Sequence, residues 1–256
     1  MWSMKEVRPG IRVGFTDTTA GNLAFHVGDD PARVAARRAA VAAAAGGSIA
    51  YMNQVHGSHT AIVAGGEQGS AAPTADAMVL DPAASSRPPA GSGSGALGMP
   101  VQAVGLAVMV ADCVPVVLVG QGPGGEPLLG VAHAGRPGVE AGVIDSVVAE
   151  LRRAGAIGIE AWLGPSVCGS CYEVPEDMRA AVAARVPQAC ATTSWGTPAL
   201  DLPAAVLAQL QANGVAAHAS GTCTLEDSRY YSHRRSQRDG EAEGRFIGLV
   251  TAAPRP

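Results

Sequence analysis

Residues 101–120 read Val-Gln-Ala-Val-Gly-Leu-Ala-Val-Met-Val-Ala-Asp-Cys-Val-Pro-Val-Val-Leu-Val-Gly, apolar almost throughout with one charge, at Asp112. Roughly 20 such residues suffice to cross a bilayer as a helix. Asp112 and Pro115 near the middle, with β-branched residues on both sides, argue instead for two buried strands meeting at an elbow, because a charge at mid-span is costly. No membrane partner is expected.

The elbow carries a thiol, Cys113. One short strand later comes Val131-Ala-His-Ala-Gly-Arg-Pro-Gly138, which sets an imidazole, His133, and a helix start among apolar residues. Reactive polar groups placed where valine would serve more often mark a site than an accident.

The chain has 256 residues, 47% of them apolar, which supports a sizeable core and favours a single domain spanning 1–256. A net charge of −4 and an aromatic content of 4% provide neither a basic footprint nor stacking platforms, so nucleic acid is not an expected partner. Five cysteines in no regular framework, and an N-terminus without the apolar core of a signal peptide, point to the reducing cytoplasm.

Strand patterns fall at 11–15, 48–54, 60–63, 101–110, 114–119, 128–133, 157–163 and 245–251. Asp29-Asp30-Pro31 starts a helix that runs to Gly46-Gly47; further helices start at Pro137, Pro175 and Asp201. The one from Pro137 places Val139, Val143, Ile144, Val147, Val148 and Leu151 at helical spacing and stops near Gly155. Residues 82–100, rich in Pro, Ser and Gly, read as a flexible loop. Irregular alternation with hairpins predicts an α+β fold with mixed sheets.

Thiolate and imidazole are preferred ligands of zinc, and three protein ligands with one open position make a hydrolytic site. Cys113 and His133 supply two. His56, in the polar segment Asn53-Gln-Val-His-Gly-Ser-His59, is the best third candidate, and His26 a weaker one. Cys113, His133 and Asp112 are the candidate catalytic residues, with Asp112 equally suited to bracing the turn. Backbone N–H groups at Gly135, Arg136 and Gly138 would form an anion site beside His133. Cys168-Gly-Ser-Cys171 has redox spacing but lies in ordinary turn material; Cys190 and Cys223 are isolated and receive no role. In Ser232-His-Arg-Arg235 the arginines read as a solvated or salt-bridged surface, and His233 as incidental.

Several blocks, taken in order, carry a resemblance. Asn22-Leu-Ala-Phe-His-Val-Gly-Asp-Asp30, Asn53-Gln-Val-His-Gly57, Ala111-Asp-Cys-Val-Pro115, His133-Ala-Gly135, Gly164-Pro165, Cys171-Tyr-Glu-Val174, Asp201-Leu202 and Ser232-His-Arg-Arg235 are similar to the signature blocks of the YfiH-type, laccase-domain family. The resemblance spans nearly the whole chain. It implies a four-layer α/β/β/α fold and a zinc held by two His and one Cys, which by matching block are His56, Cys113 and His133. It also implies purine nucleoside phosphorylase activity, with adenosine deaminase and methylthioadenosine phosphorylase activities, and hence a purine nucleoside and phosphate as partners.

Members are also described as multicopper polyphenol oxidases and as peptidoglycan editing factors. Copper is thus the alternative metal, but multicopper chemistry needs more histidines than the six present. Asn22 and Arg38 are implied substrate contacts by block position, alongside Gly135 and Arg136. The family usually has Trp-Arg after His-Ala-Gly; Arg136-Pro137 here moves the guanidinium and removes a ring. A different class of function, a metal-free Cys-His hydrolase or amidase with Cys113 as nucleophile, competes with the metalloenzyme reading.

Overall fold

The apolar run at 101–120 divides at Asp112 into strands of two different sheets. The structure, a computed structural model, describes Trp2 and residues 4–63, 72–82 and 103–253; the expected loop at 82–100 lies, apart from Pro82, outside the described residues.

In chain order, β1 (Met4–Arg8) and β2 (Ile11–Phe15) are followed by α1 (Pro31–Ala45), β3 (Ser48–Ala50), β4 (Thr60–Val63), β5 (Ala77–Leu80), β6 (Ala103–Val110), β7 (Val114–Gln121) and β8 (Pro127–Ala134). Then come α2 (Arg136–Glu140), α3 (Val143–Arg153), β9 (Ile157–Leu163), α4 (Glu176–Arg185), β10 (Cys190–Thr192), β11 (Pro198–Leu200), α5 (Leu202–Ala212), β12 (Ala216–Ala219), α6 (His233–Asp239) and β13 (Phe246–Ala252).

Besides an antiparallel β10–β11 pair, two main sheets have the orders β1-β2-β13-β6-β3 and β12-β9-β7-β8-β5-β4. Both are mixed: β3 runs parallel to β6, β4 to β5 and β12 to β9, while the remaining pairs in these two sheets are antiparallel.

The layers follow from which side of each strand is apolar. Val108, Val110, Phe246 and Val250 of the first sheet pack against Val117, Val119, Leu129 and Val131 of the second, forming the core between the sheets. The outer face of the second sheet, with Val116, Leu118 and Ala132, is covered by Ile144, Val147 and Leu151 of α3 and by Val206 and Leu210 of α5. Ala107, Met109, Ile247 and Leu249, on the far side of the first sheet, meet Val41 and Ala45 of α1. The order is therefore helix, sheet, sheet, helix, as expected, and both faces of the central strands are buried, which explains their unbroken apolar runs.

Phe246 is fully buried in the core between the sheets, its ring 5.2 Å from that of Tyr230. Phe246→Ala is expected to cost about 3–5 kcal/mol, to be read as a lower midpoint in urea with an unchanged slope.

Several elements depart from the sequence reading. The helix expected from Pro137 to Gly155 is two, because Gly142 adopts φ +82 and ends the first after little more than a turn. The strand expected at 48–54 keeps only Ser48–Ala50, after which Asn53 makes an isolated bridge to Thr74. The strands β1, β10, β11 and β12 and the helix α6 carry patterns too short or too polar to have been recognised, and β5, though apolar, was overlooked. Among the described residues no helix is long and apolar enough to cross a membrane.

Candidate metal centre

Register brings the candidate ligands together. In the β7–β8 hairpin Val114 lies opposite Ala134 and Pro115 opposite His133, so the next position outward sets Cys113 against Gly135. Cys113 and His133 share the parity of Val117 and Val131, the residues that face the core between the sheets. Both side chains therefore stand at the open end of that interlayer space. His56 arrives from the 53–59 loop, its ring 4.6 Å from that of His133 and steeply inclined to it. Cys113 Sγ and His56 Nε2 are 3.9 Å apart, and the donor atoms of His56, Cys113 and His133 all lie within 4.8 Å of one another.

These residues suit a tetrahedral soft cation. Zinc–sulfur and zinc–nitrogen bonds of ordinary length place neighbouring ligand atoms about 3.5 Å apart, close to the separation seen. The second shell is built too. Asp76, fully buried, lies directly opposite His133 across the β5–β8 pair, and its Oδ1 accepts from His133 Nδ1 at 2.9 Å. That bond fixes the imidazole tautomer and leaves Nε2 as the donor atom toward a metal.

The same carboxylate accepts backbone N–H bonds from Val55 at 3.2 Å, His56 at 2.9 Å and Gly57 at 2.6 Å. These successive N–H groups wrap an anion, and they hold His56 at φ +60, in the left-handed region. One buried acid thus orients two of the three ligands. Asp76→Ala is expected to weaken metal binding about 10–100-fold, measured by competition with a chromophoric chelator.

Among the described residues Asp112 is the other one outside glycine with positive φ, at +83. Its Oδ1 accepts from Thr224 Oγ1 at 2.7 Å and its Oδ2 from the Arg234 N–H at 2.8 Å, so both oxygens are engaged in holding the elbow that presents Cys113. The bend falls at Asp112 itself, not at Pro115.

Electrostatics couple Cys113 to His133. Burial opposes the thiolate, but the charge of His133 and hydrogen bonds from both imidazoles outweigh it and bring the Cys113 pKa down to about 6. Burial likewise opposes the imidazolium at His133, and the Cys113 thiolate together with the Asp76 bond raises its pKa to about 9.

The three ligands line a cleft of about 460 Å³ whose walls include His26, Tyr172, Arg136, Arg234 and Arg245. Arg136 also bonds Glu140 at 2.7 Å. Arg234 stacks on Tyr172 with its guanidinium carbon 4.3 Å from the ring centre. His233 lines the same cleft, and Arg235, far from forming a solvated surface, is buried, with bonds to the carbonyls of Thr224 and Tyr230.

Asn22 and Arg38 stand one layer behind. Asn22 binds the backbone of Ala24 and Arg245, while Arg38 binds the Leu23 carbonyl and lies 3.8 Å from the centre of the Tyr51 ring. Asn22 connects to the cleft through Arg245 and Arg38 through Met109.

The comparisons with known proteins agree with this architecture. A family described as multi-copper polyphenol oxidoreductase laccase matches residues 12–253. The chain belongs to this laccase-domain family. A laccase-domain relative from Streptomyces coelicolor, named purine nucleoside phosphorylase, is 40% identical across 95% of this chain and 98% of its own. One from Streptomyces griseus with the same designation is 43% identical across 87% and 85%. The crystal structure of the Bacillus licheniformis hypothetical protein YfiH superposes with a TM-score of 0.79 at 25% identity, covering 98% of this chain and 96% of that one.

Asp76 was missed at the sequence level, although an acid opening the apolar run Ala77-Met-Val-Leu80 is a signal of the kind that singled out Cys113. Cys223 was judged isolated; in the fold it lies against Cys168 and Cys171.

Proposed function

We propose that this laccase-domain protein is a zinc-dependent purine nucleoside phosphorylase that also deaminates adenosine and accepts methylthioadenosine. The observation that carries the reading is the meeting of His56, Cys113 and His133 at the base of a cleft walled by three arginines and a tyrosine. The designation of the Streptomyces relatives supports it.

His56, Cys113 and His133 would hold the ion, which supplies Lewis acidity and a nucleophile at neutral pH when bound. Arg234, together with Arg136 and Arg245 once phosphate competes with their Glu140 and Glu243 partners, would supply the positive charge that attracts phosphate. In phosphorolysis a phosphate oxygen bonds to ribose C1′ as the C1′–N9 electron pair departs with the purine, which takes up a proton. The Tyr172 ring and the stacked Arg234 offer flat surfaces for the base.

The test is direct. Zinc-replete protein given adenosine and phosphate is expected to release adenine in proportion to phosphate, and inosine without it. Absence of both products overturns the reading.

A second reading has its own support. Asp76 bonds His133, and the His133 and Cys113 donor atoms lie within 4.8 Å of each other, a carboxylate, imidazole and thiol grouped as in a Cys-His hydrolase. Metal-free protein in which Cys113 alkylates rapidly and which hydrolyses amides would favour it.

A further inference from the structure

Among the described residues a second group of metal-ligating side chains lies apart from the centre described above. Cys168, Cys171, Cys223 and Glu226 each direct a donor atom into one small volume, all within 4.8 Å of one another.

The group comes from two turns of matching spacing. Cys168-Gly-Ser-Cys171 is a tight turn in which the Cys168 carbonyl accepts from the N–H groups of Cys171 and Tyr172, both at 3.0 Å. Cys223-Thr-Leu-Glu226 forms the other, with the Asp227 N–H bonded to the Cys223 carbonyl at 3.0 Å. An isolated parallel bridge between Ser166 and Cys223 holds the turns side by side. The Cys168 N–H donates to Cys223 Sγ at 3.5 Å, and Cys171 Sγ lies 3.3 Å from Glu226 Oε1.

A lone buried cysteine is most often a small hydrophobe. Three that gather from separate segments beside a carboxylate are different, because each thiolate repels the others unless a cation lies between them. Cys171 and Cys223 are only 5% and 6% exposed, so water screens that repulsion poorly. Burial, with the neighbouring sulfurs and Glu226, holds the Cys171 thiol well above its ordinary range, and a bound divalent ion reverses that balance.

We infer that Cys168, Cys171, Cys223 and Glu226 form a second, structural zinc site. Three sulfurs and one oxygen close a tetrahedron with no vacant position, which suits a structural role and selects zinc over magnesium or calcium.

Its place in the fold gives the ion a task. Tyr172, in the cleft wall, follows Cys171 directly. Thr224, which braces Asp112 and so the Cys113 elbow, follows Cys223. Cross-linking the two turns fixes one wall of the cleft relative to the first metal centre without entering the chemistry.

The experiment is metal analysis of the full chain prepared under thiol reductant. Wild type is expected to hold two zinc ions per chain, His56→Ala/His133→Ala one, and Cys168→Ser/Cys171→Ser one. Cobalt titrated into metal-stripped His56→Ala/His133→Ala, with its circular dichroism matching wild type, is expected to give sulfur-to-cobalt charge-transfer absorption and the strong visible bands of a tetrahedral site.

No zinc in His56→Ala/His133→Ala, no charge-transfer absorption in the cobalt titration, or a disulfide among the three cysteines by mass would each overturn the assignment. These readouts do not depend on nucleoside turnover, so failure of the phosphorylase reading leaves the second site standing, and the reverse.

Discussion

His133→Ala is expected to strip the first metal centre of its ion and to lower phosphorolysis by more than the ~100-fold ceiling expected from losing an outer-shell partner such as Asp76. The reason lies in how much converges on one ring. His133 is 3% exposed, is held by Asp76 through Nδ1, supports the Cys113 thiolate and packs against the His56 ring. Removing it takes away a ligand and the partner of both remaining ones. Metal content of the purified variant checks this, with phosphate-dependent adenine release measured alongside. A variant that keeps its full complement of ions and its turnover would show that the three side chains do not act together.

Gly135→Ala is expected to have nearly as large an effect through a single methyl group. A Cβ built there falls 2.8 Å from His56 Cδ2, 3.1 Å from Cys113 Sγ and 3.6 Å from His133 Cε1, touching all three ligands. The backbone at Gly135 is ordinary extended chain, φ −78 and ψ 165, so alanine meets no conformational penalty and the effect is purely steric. Overpacking of this kind costs about 1–3 kcal/mol, small beside the loss of ligand geometry. Metal affinity is expected to fall at least 10-fold while most of the thermal stability remains, as measured by chelator competition and by calorimetry of the metal-free protein. Equal affinities in the variant and wild type would mean that the ligands spread without consequence.

Legibility in the sequence followed the range of the interactions. Strands β2 and β9 match the sequence reading at both ends and β7, β8 and β13 nearly so, because their apolar patterns are local and both faces of the central ones are buried. Cys113 and His133 stood out for the same reason, as polar groups in runs that otherwise avoid them. Asp76 carried a local signal as an acid opening an apolar run, but its role appeared only once β5 paired with β8 in the register that sets it opposite His133. Cys223 joined Cys168 and Cys171 through an isolated bridge of long sequence separation, and Arg235 was buried by a helix whose sequence, His-Arg-Arg-Ser-Gln-Arg-Asp, reads as solvent-facing. The break at Gly142 was visible as a glycine but masked by apolar residues that keep helical spacing across it.

The hairpin that supplies Cys113 and His133 has a further consequence for how the protein matures. Those two ligands lie on adjacent strands closed by a short turn, whereas His56 stands 57 positions before Cys113 and docks only when its loop has wrapped around Asp76. Short loops close at lower entropic cost than long ones, so on the proposed metal reading a nascent chain would form a two-ligand half-site before the complete one. On the proposed metal reading, firm retention of the ion would certify that the N-terminal half has reached its native position, and occupancy would mark finished folding.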